Sequence, residues 1–223
     1  MKKYFAFFAV LGLLVACQGK DNPSNGQEEN KDFQFGAVDL GLSVKWANAN
    51  LGAVAPEGYG DYYAWGETDT KANYSWETYK WCEGSNTTLT KYNSIDNKYI
   101  LDASDDVVHV KLGGKWRMPT VSEVEELLTT RNNANYKWER KSINGHEGWL
   151  LTYTVNQNSI FFPAAGYRIG YDPKYVGTLG IYWTSSLESD PVTAAYTLYS
   201  NASEVKRGNN SRYIGQPVRP VSE

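Results

Sequence analysis

Histidine, cysteine and methionine each occur only twice in the 223 residues. The histidines are His109 and His146, and neither stands at metal-ligand spacing from another His or Cys. So few histidines also leave few bases for a Ser or Cys nucleophile. The usual catalytic patterns are missing: there is no G-x-S-x-G, H-E-x-x-H, P-loop or G-x-G-x-x-G. No self-similarity at the roughly 20–50-residue period of solenoids is present, and no apolar run reaches the roughly 20 residues that a membrane helix needs. Basic charge is short as well, with 22 Lys and Arg against 25 Asp and Glu. Without Lys2 and Lys3 the balance is 20 against 25, or −5. An acidic chain with no local basic stripe does not attract a phosphate backbone, which argues against a nucleic-acid partner.

The N-terminus carries an address. Lys2 and Lys3 precede an almost unbroken apolar run from Tyr4 to Leu14, and small residues lead to Cys17. That is the layout of a secretory signal peptide, residues 1–16. Gln18 to Asp32 has no large apolar residue and cannot bury enough surface to offset its ordering entropy. Residues 17–32 are therefore expected to be a tether, and residues 33–223 one globular unit. Over the whole chain, apolar residues at 41%, aromatics at 14% and 20 Gly suggest short strands and many turns around an aromatic core.

Secondary-structure signals are uneven. Val38 to Ala47 reads as a strand pair turning at Gly41, Gly60 to Gly66 as a short aromatic strand, and Tyr74 to Thr90 as irregular. Asp102 to Leu112 predicts a short helix, capped by Asp102 or Ser104 and stopped by Gly113-Gly114. Thr120 with Glu123 is a capping box, and Val121, Val124, Leu127 and Leu128 then share one helical face to about Thr130. Strands are expected at Trp149–Val155, Ser159–Pro163, Ile181–Ser186, Thr193–Tyr199, Glu204–Arg207 and Gln216–Val221. Two helices followed by antiparallel strands is an α+β plan. Trp46, Trp65, Trp116, Trp149 and Trp183 are expected in the core. The carboxylate pairs Glu125-Glu126 and Asp105-Asp106 fall on predicted helices, as a solvated face and an N-terminal cap.

Two resemblances add to this. Leu14-Val15-Ala16-Cys17 resembles a bacterial lipobox. It implies cleavage before Cys17, acyl chains including palmitate on Cys17, and, with Gln at position 18, an outer-membrane and cell-surface location. Cys82 then has no intramolecular partner and is expected to be a small hydrophobe.

Val38-Asp39-Leu40-Gly41-Leu42, Lys45-Trp46-Ala47, Tyr59 to Glu67, Trp116-Arg117-Met118-Pro119-Thr120, Phe162 to Arg168, Tyr182 to Ser186 and Val218-Arg219-Pro220-Val221 come in order along the chain. Together they resemble the Fibrobacter succinogenes major paralogous domain. The resemblance implies a C-type-lectin-like fold, with two short helices on twisted antiparallel sheets. Relatives carry Cys where Ala49 stands and near Asn133, so the disulfide those positions suggest is missing here.

Function is expected to be ligand binding without catalysis, to a glycan or a protein. The candidate contacts are Tyr171 and Tyr175 in the Gly170–Gly177 loop, with Glu188, Tyr199, Asn201, Arg207, Asn209, Asn210, Arg212 and Tyr213. Tyr, Asn, Ser, Gly and Arg together have paratope chemistry, and an ordinary polar hairpin rim is the competing explanation. No residue pattern calls for a cofactor or metal, and no catalytic residue is assigned. The alternatives are a structural part of a surface or fimbria-like assembly, and an enzyme derived from the formylglycine-generating fold.

Overall fold

The computed structural model describes residues 33–223. The expected signal peptide, the lipidated Cys17 and the tether lie outside the described residues.

β1 (Ala37–Val38) and β2 (Lys45–Ala47) pair antiparallel with Val38 opposite Trp46, as the sequence pattern predicts. A long, mostly irregular stretch follows, with one 3-10 turn at Trp76–Thr78. Gly60 to Gly66 is not the expected strand. Only Tyr63 bridges there, exchanging two 2.9 Å backbone hydrogen bonds with Gln216.

α1 (Val107–Leu112) begins later than predicted. Its N-cap is Asp106, whose carboxylate accepts from the N–H groups of Val108, His109 and, at 2.8 Å, Met118. Asp102 instead closes a separate turn, its carbonyl accepting from Asp105 and Asp106. Three donors on one buried carboxylate fix both the helix start and the entry of β3 (Trp116–Arg117). α2 (Val121–Thr129) is capped as predicted, with Thr120 and Glu123 bonding reciprocally and Val124 and Leu127 buried.

β4 (Tyr136–Ile143), β5 (His146–Tyr153) and β6 (Asn158–Pro163) form a three-stranded antiparallel sheet. β4 is absent from the sequence-based expectation, because charged residues break its apolar alternation. Its real marker is the turn Asn144-Gly145, both at positive φ, the signature of a two-residue hairpin. β7 (Tyr167–Ile169) and β8 (Asp172–Lys174) make a small hairpin. Gly166 ahead of it admits no side chain: its φ is 64°, and a Cβ would stand 2.1 Å from the Lys174 carbonyl oxygen.

β9 (Gly180–Leu187), β10 (Ala194–Ser200) and β11 (Val205–Ser211) form the other three-stranded sheet, with β11 on its edge. The chain closes with β12 (Val221–Ser222), which inserts between β2 and β3. The expected strand at Gln216–Val221 shrinks to this remnant. Pro217 and Pro220 have no N–H to give a ladder, although their carbonyls accept from Trp183 and Ala47.

The described residues are thus mainly β with two short α-helices, an α+β architecture. One core packs α2 against β2, β5, β6 and β10 around Trp46, Leu127 and Phe162. A second gathers Trp65, Tyr92, Met118 and Trp183. Of the five core tryptophans expected, Trp46, Trp65 and Trp183 are buried, while Trp116 and Trp149 are half-buried. Arg219 is buried between the cores and donates to the Asn50 side chain and to the Ala47 and Phe161 carbonyls. Burial lowers its pKa to about 10.

Candidate functional site

A cleft opens among residues that the sequence patterns did not single out as ligand contacts. The segment from Leu51 to Asp61 leaves the core and returns, pinched where Asp61 N–H donates to the Leu51 carbonyl at 2.9 Å. The Asn50 side chain holds the Tyr59 carbonyl, also at 2.9 Å. Gly60 permits the return: its φ is 71°, and a Cβ there would meet the Leu51 carbonyl at 2.4 Å. The cleft of about 540 Å³ is bounded by this segment and by His146 at the start of β5. Glu57 accepts from the Asn144 side chain at 2.6 Å, which ties the loop to the β4–β5 turn. Tyr59 meets the His146 ring edge-on at 4.7 Å.

Asp61 and Tyr62 divide this cleft from a second depression of about 360 Å³, walled further by Thr70, Lys71, Tyr74 and Arg168. Each wall residue is positioned. Tyr62 donates to the Ala165 carbonyl at 2.6 Å, and Tyr74 to the Tyr62 carbonyl at 2.6 Å. Burial, helped by the nearby Tyr59, pushes the Tyr62 pKa up to about 12, so it is a neutral donor. The Asp61 carboxylate accepts from Tyr63 at 3.0 Å. Lys71 is spent on Glu67 and the Thr78 carbonyl.

The β7–β8 hairpin stands at the rim of this depression. Gly170 and Tyr74 exchange two 2.8 Å backbone bonds, which pins the hairpin beside the wall. Arg168 donates to the Tyr171 carbonyl at 3.0 Å. Tyr171 is 70% exposed and Tyr175 59% exposed, and the Tyr175 ring lies 5.7 Å from that of Tyr167. The exposure expected for Tyr171 and Tyr175 is therefore present. The arrangement can offer flat aromatic faces with carboxylate, amide and guanidinium groups beside them, the chemistry that holds a sugar ring.

The remaining candidates do not gather into one patch. Arg212 is a correction: it is fully buried, not a surface contact. It donates to Tyr79 and to the carbonyls of Lys91, Tyr92 and Val192, with its guanidinium 5.1 Å from the Trp65 ring. Tyr213 is half-buried against Trp76, their rings 5.0 Å apart. Glu188 accepts from Tyr196 and Asn209, and Arg207 pairs with Glu125 of α2 at 2.5 Å. Tyr199 and Asn201 belong to a different neighbourhood, where the Asn201 carbonyl accepts from Trp149 and Arg140. Asn210 turns back on the backbone, accepting from the Ser211 N–H. The strand expected at Glu204–Arg207 is present and runs on to Ser211 as edge strand β11, whose register with β10 commits alternate side chains to opposite faces.

Two other places bear on catalysis. Cys82 is half-buried, and its thiol donates to the Trp76 carbonyl at 3.1 Å. Asp106 and His109 line a small apolar hollow of about 300 Å³. Burial raises the Asp106 pKa, and three backbone donors occupy its oxygens. Among the described residues, no group of three or more His, Cys, Asp or Glu side chains is placed to hold a metal ion.

Fold and cleft define a mainly β protein with a tyrosine-lined groove. Compared with protein-family models, curated proteins and solved structures, the chain shows no match.

Proposed function

We propose that the protein is an exported lipoprotein, anchored in the outer membrane through Cys17, whose globular unit is a C-type-lectin-like domain of the Fibrobacter major paralogous type that binds a glycan. The observation that carries the glycan is the cleft itself. Tyr59 and Tyr62 present aromatic surface beside Glu57, Asp61, His146 and Arg168, and the exposed Tyr171 stands on the adjoining hairpin. Sugars stack their apolar ring faces on such surfaces, and fixed polar groups read their hydroxyls. The family reading is supported by where its blocks fall. Ala165 and Gly166 take the Tyr62 hydroxyl and carry the hairpin, and Arg219 ties both chain ends to β6.

The test is a glycan array probed with the full-length mature protein and with a Tyr59→Ala/Tyr171→Ala variant. Binding by the wild type and its loss in the folded variant is the expected result. Equal binding by both places the site elsewhere, and no binding by either defeats the glycan.

A further inference from the structure

Arginine in this chain is almost always committed. Three of the seven, Arg117, Arg140 and Arg207, pair with glutamates. Three more, Arg131, Arg212 and Arg219, bond to backbone carbonyls. Arg168 is the exception. The single protein hydrogen bond of its guanidinium, among the described residues, is the one to the Tyr171 carbonyl. Among the described residues no carboxylate pairs with it, and its Nε is buried with no acceptor. It is also part of the wall of the second depression, 6.0 Å from the Tyr62 ring.

A guanidinium held in place with most of its donors unused is prepared for a planar oxyanion, which it can grip with two parallel bonds. Lys71 does not compete, because Glu67 already neutralises it. Asp61, the one acidic member of the wall, opposes a second negative charge and suits a sugar hydroxyl.

We infer that the Arg168 end of the groove takes the carboxylate of an acidic sugar, a uronic acid or a sugar acid of like geometry, with neighbouring ring hydroxyls directed to Asp61. This rests on the glycan reading above and narrows it to a charged class.

The experiment uses matched glycan pairs, each uronic-acid oligosaccharide beside its methyl-esterified counterpart, which keeps the ring and removes the charge. The full-length mature protein in detergent is tested by array and then by calorimetry on the best pair. Preference for the acid by about tenfold or more is expected at low salt, shrinking as salt rises, as one charge-assisted contact dictates. Arg168→Gln should bind both members alike, Arg168→Lys should keep part of the preference, and both should melt with the wild type. If acid and ester bind the wild type equally, or the preference survives in folded Arg168→Gln, the charged-sugar inference fails while the glycan reading stands. If no member of any pair binds, the glycan reading fails and takes this inference with it.

Discussion

Arg212 donates its Nε–H to the Tyr79 hydroxyl at 2.9 Å, both side chains sealed from solvent. The bond joins the end of β11 to the irregular stretch that carries Tyr79, Lys91 and Tyr92. Three further bonds from Arg212 hold the carbonyls of Lys91, Tyr92 and Val192. Arg212→Ala would strand these acceptors and open a cavity among three aromatic rings. It should cost roughly 3–5 kcal/mol in urea denaturation. Arg207→Ala five residues earlier removes only a half-exposed pair with Glu125 and should stay within about 1 kcal/mol. Similar costs for the two would contradict the burial of Arg212.

The cap of α2 should dominate the acid side of stability. Burial alone would raise the Glu123 pKa, but the Arg117 guanidinium and the Thr120 N–H outweigh it and hold it below 4.5. A depressed carboxylate stabilises above its ordinary value, and the contribution is lost as pH falls through the folded value. Glu123→Ala should therefore lose about 1–2 kcal/mol at neutral pH and show a shallower acid limb, read by urea titration at several pH values.

Alkaline unfolding should be led by tyrosine. Burial raises the pKa of Tyr62, Tyr63, Tyr79, Tyr92 and Tyr182 above 10.0, with Asp61 adding to the shift at Tyr63 and Asp105 at Tyr92. Their contribution is complete below that value and is lost as pH rises through the raised pKa values. Arg219 works the other way, since its lowered pKa penalises folding below about 10 and relents above it. One arginine does not offset five tyrosines. The part of the tyrosinate absorbance that comes from these buried rings should appear together with the loss of circular dichroism above pH 10. Smooth tyrosine titration with the fold intact would contradict this.

Tyr171 and Tyr175 should be removable without harm to the fold. Both are exposed, so Tyr171→Ala with Tyr175→Ala should shift stability by no more than about 0.5 kcal/mol each. A larger loss by thermal melting would mean that the hairpin is held by these rings and not by its backbone bonds to Tyr74.

Membrane attachment should depend on one atom. On the proposed lipidation, Cys17→Ala should move the protein from the detergent phase to the aqueous phase on partition, because acyl chains at that residue would supply the anchoring energy. Unchanged partition would remove the lipobox assignment.

Local chemistry made some elements legible in the sequence alone. The α2 cap, the β1–β2 pair and the strands β5, β6, β9 and β10 declare themselves through contacts of a few residues, where side-chain pattern and backbone partner lie close together. Asn144-Gly145 was an available sign of β4, hidden by the charges around it. The start of α1 was decided by the Met118 N–H, a partner twelve positions away that made Asp106 the better cap than Asp102. Distance along the chain also decided the site. Nothing local brings Tyr59 to His146, or distinguishes Arg168, whose guanidinium keeps one bond to the Tyr171 carbonyl, from Arg212, which is packed among rings. Both arginines sit in polar, tyrosine-containing stretches, and only the packing of distant segments sets which one water or a ligand can reach. Composition and spacing determined an α+β chain with aromatic cores. Long-range closure by Gln216, Arg219 and β12 determined where its groove would open, because burial and hydrogen-bond partners are properties of the assembled chain.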